Sequence, residues 1–535
     1  MTGGDALALE TNVLYYGDNL DVLRKHIPDE SIDLIYLDPP FNSNRSYNVL
    51  FKESSGAASE AQIEAFGDTW HWGAAAQEAY EEVVTGPQRR AARMLQAMVE
   101  GLGHNDVTAY LSMMAIRLTE LQRVLKATGS IYLHCDPTAG DYLKVLMDSV
   151  FGPKSFRNQI VWRRSHPHGN ITKKFGSIHD LLLFYVRDPS AAKWNQPTIE
   201  HDAADPKIRK QYNRWDEERQ DWWQPTSLLN PNPNRPNLTY EFHGHTKVWR
   251  WTRERMLEME RKGAIYVPAD GGIPRYKRYL GEQRGLLLQD VWDDIEPVTG
   301  EENLGYETQK PLDLLERVVE ASSDKGDIIL DPFCGCGTAV HAAQMLRREW
   351  IGIDITNLAI GLIRRRMQDA FPRIQINVVG EPVDLAGARE LAATRPSQFE
   401  YWVLDKIDAQ PTGGKGPDLD GVLPFIEFGG KAKRVVISVK GTKTVSPAML
   451  REVKGAMNGD KPIGVLITLA PPTQGMKTQA AAAGSYEAAG KKYPRVQILT
   501  VADILKGKRP QMPPKTSPFA GAPVEREEAK TERLL

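Results

Sequence analysis

Asp327-Ile328-Ile329-Leu330 runs directly into Asp331-Pro332-Phe333-Cys334-Gly335-Cys336-Gly337-Thr338, and this passage constrains the fold more than any other. A short apolar run, a glycine-rich turn and a helical pattern over 338–348 read as strand, close-approach turn and helix. A second strand over 350–355 carries Asp354 at its end, about twenty residues past the turn. A unit of this kind needs a parallel sheet with helices laid over it. The same alternation recurs, with strands at 12–16, 32–37, 129–134 and 374–379. Helices are expected over 108–127, 139–151 and 356–371, and from just before Leu312, with Pro311 inside the first turn. The predicted class is α/β with a sheet covered by helices.

At 535 residues the chain exceeds one hydrophobic core, so two or three domains are expected. Its 41% apolar and 25% charged residues are ordinary for a globular protein. No apolar run reaches the roughly 18 residues of a membrane span. Met1-Thr2-Gly3-Gly4-Asp5 lacks the basic and apolar blocks of a secretory signal. Three cysteines (Cys135, Cys334 and Cys336) cannot build a disulfide framework and fit a reducing, cytoplasmic setting. A net charge of -2 gives no global sign of a nucleic-acid partner, although a large chain can confine positive charge to one cleft.

The glycines at 335 and 337 let the backbone approach a ligand and leave helix N–H groups aimed at it. Asp354 is placed to accept from ribose hydroxyls. The plainer readings are a tight turn that merely closes the fold, or a dinucleotide site. The third glycine of the dinucleotide fingerprint is missing, because Val340 stands there. A ligand without phosphates suits the loop better, and S-adenosylmethionine, with ribose, adenine and a methionine zwitterion, fits.

Asp38-Pro39-Pro40-Phe41 follows the strand 32–37 and so sits at a carboxyl strand end. Its prolines withhold two N–H donors, leaving carbonyl acceptors dominant. An exocyclic base amine is a poor nucleophile because its lone pair is delocalised into the ring. A carboxylate and a carbonyl accepting from it favour the pyramidal, reactive form. Asp38 and the Pro39 carbonyl would do this, and Phe41 would stack on a base taken out of the duplex. The plainer reading of the tetrapeptide alone is a strand-end turn with a solvated acid.

Together these segments resemble the amino-group DNA methyltransferases of the permuted β order, in which the catalytic tetrapeptide precedes the cofactor loop. Tyr16-Gly17-Asp18-Asn19-Leu20 is similar to the segment facing the cofactor's adenine side. Thr308-Gln309-Lys310-Pro311-Leu312 is similar to the helix start closing over its methionine end. Asn158-Gln159-Ile160-Val161-Trp162 and His179-Asp180 resemble later motifs of the catalytic half. The likeness covers roughly 12–190 and 290–380. It implies a Rossmann-like, seven-stranded methyltransferase sheet of circularly permuted motif order. The catalytic set it implies is Asp38, Pro39, Pro40 and Phe41. The implied S-adenosylmethionine set is Asp18, Lys310, Pro311, Asp331, Phe333, Gly335, Gly337, Thr338 and Asp354. The implied activity is methyl transfer to adenine N6 in double-stranded DNA by base flipping, in a restriction–modification setting. An Asp at the first place of the tetrapeptide usually goes with adenine N6 and a Ser with cytosine N4, so cytosine N4 stays open. So does a DNA-binding protein that keeps the pocket without turnover.

Expected boundaries are 1–190 for the catalytic half, 191–290 for an inserted recognition module and 291–380 for the cofactor half. The insert is rich in Pro, Asn, Arg and Trp, and Trp249-Arg250-Trp251-Thr252-Arg253-Glu254-Arg255 interleaves rings with cations. Arg250, Trp251, Arg253 and Arg255 are candidate DNA contacts, although any single tryptophan could be core. Residues 381–510, with Gly416 to Gly421 and Val435 to Gly441, resemble the Mrr-like PD-(D/E)xK nucleases, implying a C-terminal α/β endonuclease-like domain. There Asp420 and Lys440 match, Ser438 replaces the second acid, and Asp420 would hold Mg²⁺ if the domain cleaves. The alternatives are cleavage through altered metal ligation and a retired nuclease that binds DNA or assembles. The tail 511–535 reads as disordered. Double-stranded DNA is the expected partner, with a second copy or a restriction subunit as the implied assembly and no membrane.

Overall fold

The structure is a computed structural model of the 535-residue chain. It describes residues 9–40, 72–167, 173, 175–199, 206–282, 285–302, 308–412, 420–426, 432–488 and 490–514. The chain forms two compact units, one of 1–195 with 290–535 and one of 196–289. No helix among the described residues is long and apolar enough to cross a membrane.

The first unit is built on one large sheet. Its strands are β1 (Val13–Tyr16), β2 (Ile32–Leu37), β3 (Leu125–Cys135), β4 (Phe156–Arg163), β5 (His179–Val186), β6 (Val291–Trp292), β7 (Ile328–Asp331), β8 (Glu349–Asp354) and β9 (Asn377–Val379). In space they run β6-β4-β5-β3-β2-β7-β8-β1-β9. The sheet thus has nine strands where seven were expected. The edge strand β6 is two residues long, too short to carry an apolar pattern, and β9 occupies the last three residues of the strand expected over 374–379. From β3 to β1 every neighbouring pair is parallel, while β5 runs antiparallel to both β3 and β4. Every residue of β1 and β2 is buried, as expected of strands covered on both faces.

The helix expected over 108–127 is Asp106–Val124, opened by a capping box between Asn105 and Thr108. It stops at Val124 because Leu125 pairs with Ile32 and starts β3. Pro311 is the cap residue before the helix Leu312–Ser322 rather than a residue inside it. It offers no capping side chain, and Glu302 Oε1 accepts from the Leu312 N–H instead, at 2.7 Å.

A second sheet in this unit holds β10 (Gln410–Pro411), β11 (Gly421–Ile426), β12 (Ala432–Lys440), β13 (Ile463–Thr468) and β14 (Val496–Thr500), in that order. β11 and β12 form an antiparallel pair; β12, β13 and β14 are parallel. The helix Pro396–Lys406 joins this sheet to the cofactor half. Its Asp405 ion-pairs with Arg364 of the helix Asn357–Ala370. Gly361 is needed at that crossing, because a Cβ there would overlap the Asp405 carboxylate. Gln398 accepts from the Asn357 N–H at 2.9 Å.

The unit 196–289 has only antiparallel pairings among its described strands: a four-stranded sheet, a hairpin of Thr239–Phe242 with His245–Val248, and a two-residue pair. Leu228, Phe242, Trp249 and Met256 form one small core.

Candidate active site

The carboxyl ends of β1, β2, β7 and β8 open on one cleft of about 1010 Å³. Parallel strands all end on the same side, so residues from 17 to 356 are gathered there by topology alone. Of the expected cofactor residues, Asp18, Lys310, Asp331, Phe333, Gly335, Thr338 and Asp354 line it. Pro311 and Gly337 do not. Gly337 serves the backbone instead. At φ 76° it caps the helix Thr338–Met345, and a Cβ there would lie 2.8 Å from Ile363. Asp38 and Pro40 line the cleft, Pro39 does not, and Phe41 lies outside the described residues.

Each acid in the cleft is held differently. Asp18 accepts from the Leu20 N–H at 2.8 Å as the cap of the helix Asn19–His26, and both its oxygens lie 2.9 Å from Arg117 Nη2. The same guanidinium donates to Asn19 Oδ1 at 2.6 Å, and Asn19 donates to the Pro332 carbonyl at 2.8 Å. Arg117 therefore stitches the β1 turn to the β7 turn from below. Asp331 accepts from the Phe333 N–H at 3.0 Å. Asp354 accepts from the Gly335 N–H at 3.0 Å, the Thr356 N–H at 2.9 Å and the Thr356 hydroxyl at 2.8 Å. Asp38 ion-pairs with Lys310.

Burial pushes Asp331 well above the usual carboxylate range, and the negative charges of Asp38 and Asp354 add to the effect. Burial also raises Asp354, against the hydrogen bonds it accepts from Thr356 and Gly335. The cleft has four aspartates against Arg117 and Lys310. Acids outnumber cations in this lining, so a cationic ligand with sugar hydroxyls suits it.

Behind β2 lies a buried polar chain. Tyr36, which lines the cleft, shares a 2.8 Å hydrogen bond with His134 Nδ1. His134 Nε2 is 3.2 Å from Asp180 Oδ2, and Arg164 Nη1 is 3.2 Å from Asp180 Oδ1. Burial opposes charge on Asp180, yet the hydrogen bond from His134 and the charges of His134, Lys310 and Arg164 hold it below the usual range. The His134 ring is thus held between the Tyr36 hydroxyl and the Asp180 carboxylate.

Arg117, Asn19, Tyr36, His134, Thr356 and Glu302 were not singled out from the sequence. His179-Asp180 did attract notice as a motif, but no spacing rule links Asp180 to His134, 46 positions earlier.

The candidate DNA residues sit in the second unit. Arg250, Arg253 and Arg255 are exposed there, and Trp251 is half-buried. Arg250 donates through Nε to the Leu229 carbonyl at 3.1 Å, and the Arg255 guanidinium stands 5.1 Å from the Trp251 ring. Trp249 is core, fully buried, and donates to the Tyr240 carbonyl at 2.9 Å.

In the C-terminal sheet Asp420 faces Ser438 across the β11–β12 ladder. Asp420 Oδ2 accepts from the Ser438 hydroxyl at 3.1 Å and the Val439 N–H at 2.5 Å. Lys440 Nζ is 3.8 Å from Glu452. Burial, with the charge of Asp420 next, pushes Glu400 up to about 7. No group of three or more His, Cys, Asp or Glu arranged for a metal occurs among the described residues. At Asp420 a hydroxyl stands where the second acid is expected and Oδ2 already accepts two internal hydrogen bonds, so the donor set is weaker for Mg²⁺ than a pair of acids.

A parallel α/β sheet whose strand ends bring an acid–proline–proline turn against a glycine-rich nucleoside loop defines an enzyme that works with a nucleoside-type cofactor. A family model described as DNA methylase, covering adenine-N6 and cytosine-N4 enzymes, matches residues 32–364. The chain belongs to that N6/N4 DNA methylase family. It is 26% identical over 367 residues to the type II methyltransferase M.EcaI of Enterobacter cloacae, across 68% of this chain and 70% of that one. It is also 26% identical over 359 residues to the Mod subunit of the type III restriction-modification enzyme StyLTI of Salmonella typhimurium, spanning half that subunit's length and 63% of this chain. The DNA adenine methyltransferase YhdJ of Escherichia coli K12 is 24% identical over 361 residues, across 68% of this chain and 84% of its own. A DNA modification methylase structure from Thermus thermophilus, complexed with S-adenosyl-L-methionine, aligns at 16% identity and TM-score 0.34 over 68% of this chain and 98% of that one.

Proposed function

We propose that this chain transfers a methyl group from S-adenosylmethionine to adenine N6 of a base flipped out of double-stranded DNA. The observation that carries the reading is the meeting of Asp38 with the Asp331–Asp354 loop system in one cleft, although the two lie some 300 positions apart in the chain. When bound, the cofactor supplies an electrophilic methyl on a cationic sulfur. The chain's own residues supply the rest. Asp354 would accept from the ribose and Asp18 would sit at the adenine side. The excess of carboxylates would favour the sulfonium and the ammonium. Asp38 and the Pro39 carbonyl would accept from the base amine and free its lone pair. Adenine is favoured over cytosine by the Asp that opens the tetrapeptide, and YhdJ, a relative, is named an adenine enzyme. The names of the type II and type III relatives support a place in a restriction–modification system, with DNA read by 196–289 through Arg250, Trp251, Arg253 and Arg255.

For 381–510 we propose a nuclease-derived module that grips DNA or a partner rather than cutting. The favouring observation is that Ser438 stands in place of the second acid and, with Val439, donates to Asp420 Oδ2, which weakens the corner as a metal-ligand set.

Expression in a methylation-free host, followed by sequencing of the host DNA with modified-base detection, tests the main reading. Methylated adenine at a defined sequence is expected. N4-methylcytosine would move the target to the alternative base, and unmodified DNA would defeat the reading.

A further inference from the structure

We infer that Lys310 is a cofactor-operated latch on Asp38; this rests on the methyltransferase reading above. The two side chains form an ion pair across 272 positions, with only 12% and 18% of their surfaces exposed. Lys310 lies just before the cap residue Pro311 of the helix Leu312–Ser322 and Asp38 just past the end of β2, so each belongs to a different half of the cleft. While the pair is closed, the carboxylate meant for a base amine is occupied by an ammonium.

The lining explains what opens it. Two of the described lining residues are cations, and Arg117 is held by Asp18, Asn19 and the Met113 carbonyl. A methionine zwitterion brings a carboxylate of its own into the cleft. Among the described residues Lys310 is tied by one ion pair, on a flexible four-carbon stem. It can turn from Asp38 to that carboxylate with its charge still neutralised. Asp38 is then left with free lone pairs facing the position of the base. Cofactor binding thereby arms the acceptor, and Asp38 competes with the cofactor carboxylate for Lys310 until it does. Lys310 is a positioning residue in this scheme.

The competition makes a prediction that a purely structural role would not. Calorimetry on the full chain would compare S-adenosylhomocysteine, which carries the carboxylate, with 5′-methylthioadenosine, which does not. The unmodified protein should prefer S-adenosylhomocysteine by about tenfold or more, the strength of one charge-assisted contact. Lys310→Met should erase that preference and leave 5′-methylthioadenosine binding unchanged. Asp38→Asn should tighten S-adenosylhomocysteine several-fold without moving 5′-methylthioadenosine. The double variant should behave as Lys310→Met alone, the mark of two coupled residues. Retained 5′-methylthioadenosine binding reports an intact cleft in each variant, and Lys310→Arg should keep most of the preference. Tightening absent in Asp38→Asn, or a preference kept in Lys310→Met, would overturn the latch. If neither nucleoside binds the unmodified protein, the cofactor reading falls first and takes the latch with it.

Discussion

Two corners of the first unit each hold an aspartate and a lysine of the candidate sites, and they differ in what is left over. In the cleft, Asp38 meets Lys310 beside open space, and the ion pair is a side-chain contact that a ligand can exchange. In the C-terminal sheet, Asp420 is held by the hydroxyl and backbone N–H of the facing strand. A lone pair already taken by an internal donor must be released before a ligand can use it. In one corner the contact is a side-chain ion pair, and in the other Oδ2 of the acid is tied to the facing strand.

The largest expected effect comes from removing the exchangeable acid. Asp38→Ala should lower methyl transfer at least about a hundredfold, the usual scale for losing a group that acts at the reacting atom. Cofactor binding should persist, and an active Asp38→Ala protein would erase the distinction between the two corners. Gly337→Ala should come next. Its φ of 76° and the 2.8 Å approach of Ile363 predict a loss of about 1–3 kcal/mol in denaturant unfolding, with weakened cofactor binding. Asp420→Ala combined with Lys440→Ala should leave methylation unchanged. Mg²⁺-dependent DNA cleavage by the unmodified protein, lost in that double variant, would show the second corner to be exchangeable after all.

The smallest effect is a matter of pH. Glu400, raised to about 7 beside Asp420, binds its proton more tightly in the folded chain than in the unfolded one. Its protonated form therefore favours folding at acid pH, and that contribution is lost as pH rises from the ordinary carboxylate range through about 7. Glu400→Gln should match the unmodified protein in thermal melts at pH 5 and exceed it at pH 8. A difference that runs the other way would place Glu400 outside the Asp420 corner.

What the sequence made legible was local. The turn after β7, the acid at the end of β8 and the tetrapeptide after β2 are strand-end chemistry, and the order of apolar runs was enough to place them. The edge β6 was illegible because two residues hold no periodicity, whereas β9 falls within the strand read at 374–379. Arg117, Glu302 and His134 were illegible for another reason. Each is defined by its partner, and Asp18 lies 99 positions from the arginine that holds it. Helix ends shifted for the same reason, as when Leu125 left its helix to pair with Ile32.

The most direct measurement incubates the purified chain with methyl-tritiated S-adenosylmethionine and unmethylated double-stranded DNA. The DNA is then digested to nucleosides and the labelled one identified, with Asp38→Ala run alongside. Label in N6-methyldeoxyadenosine that disappears in Asp38→Ala is the predicted result. DNA that stays unlabelled, or label that survives the loss of Asp38, would contradict the account.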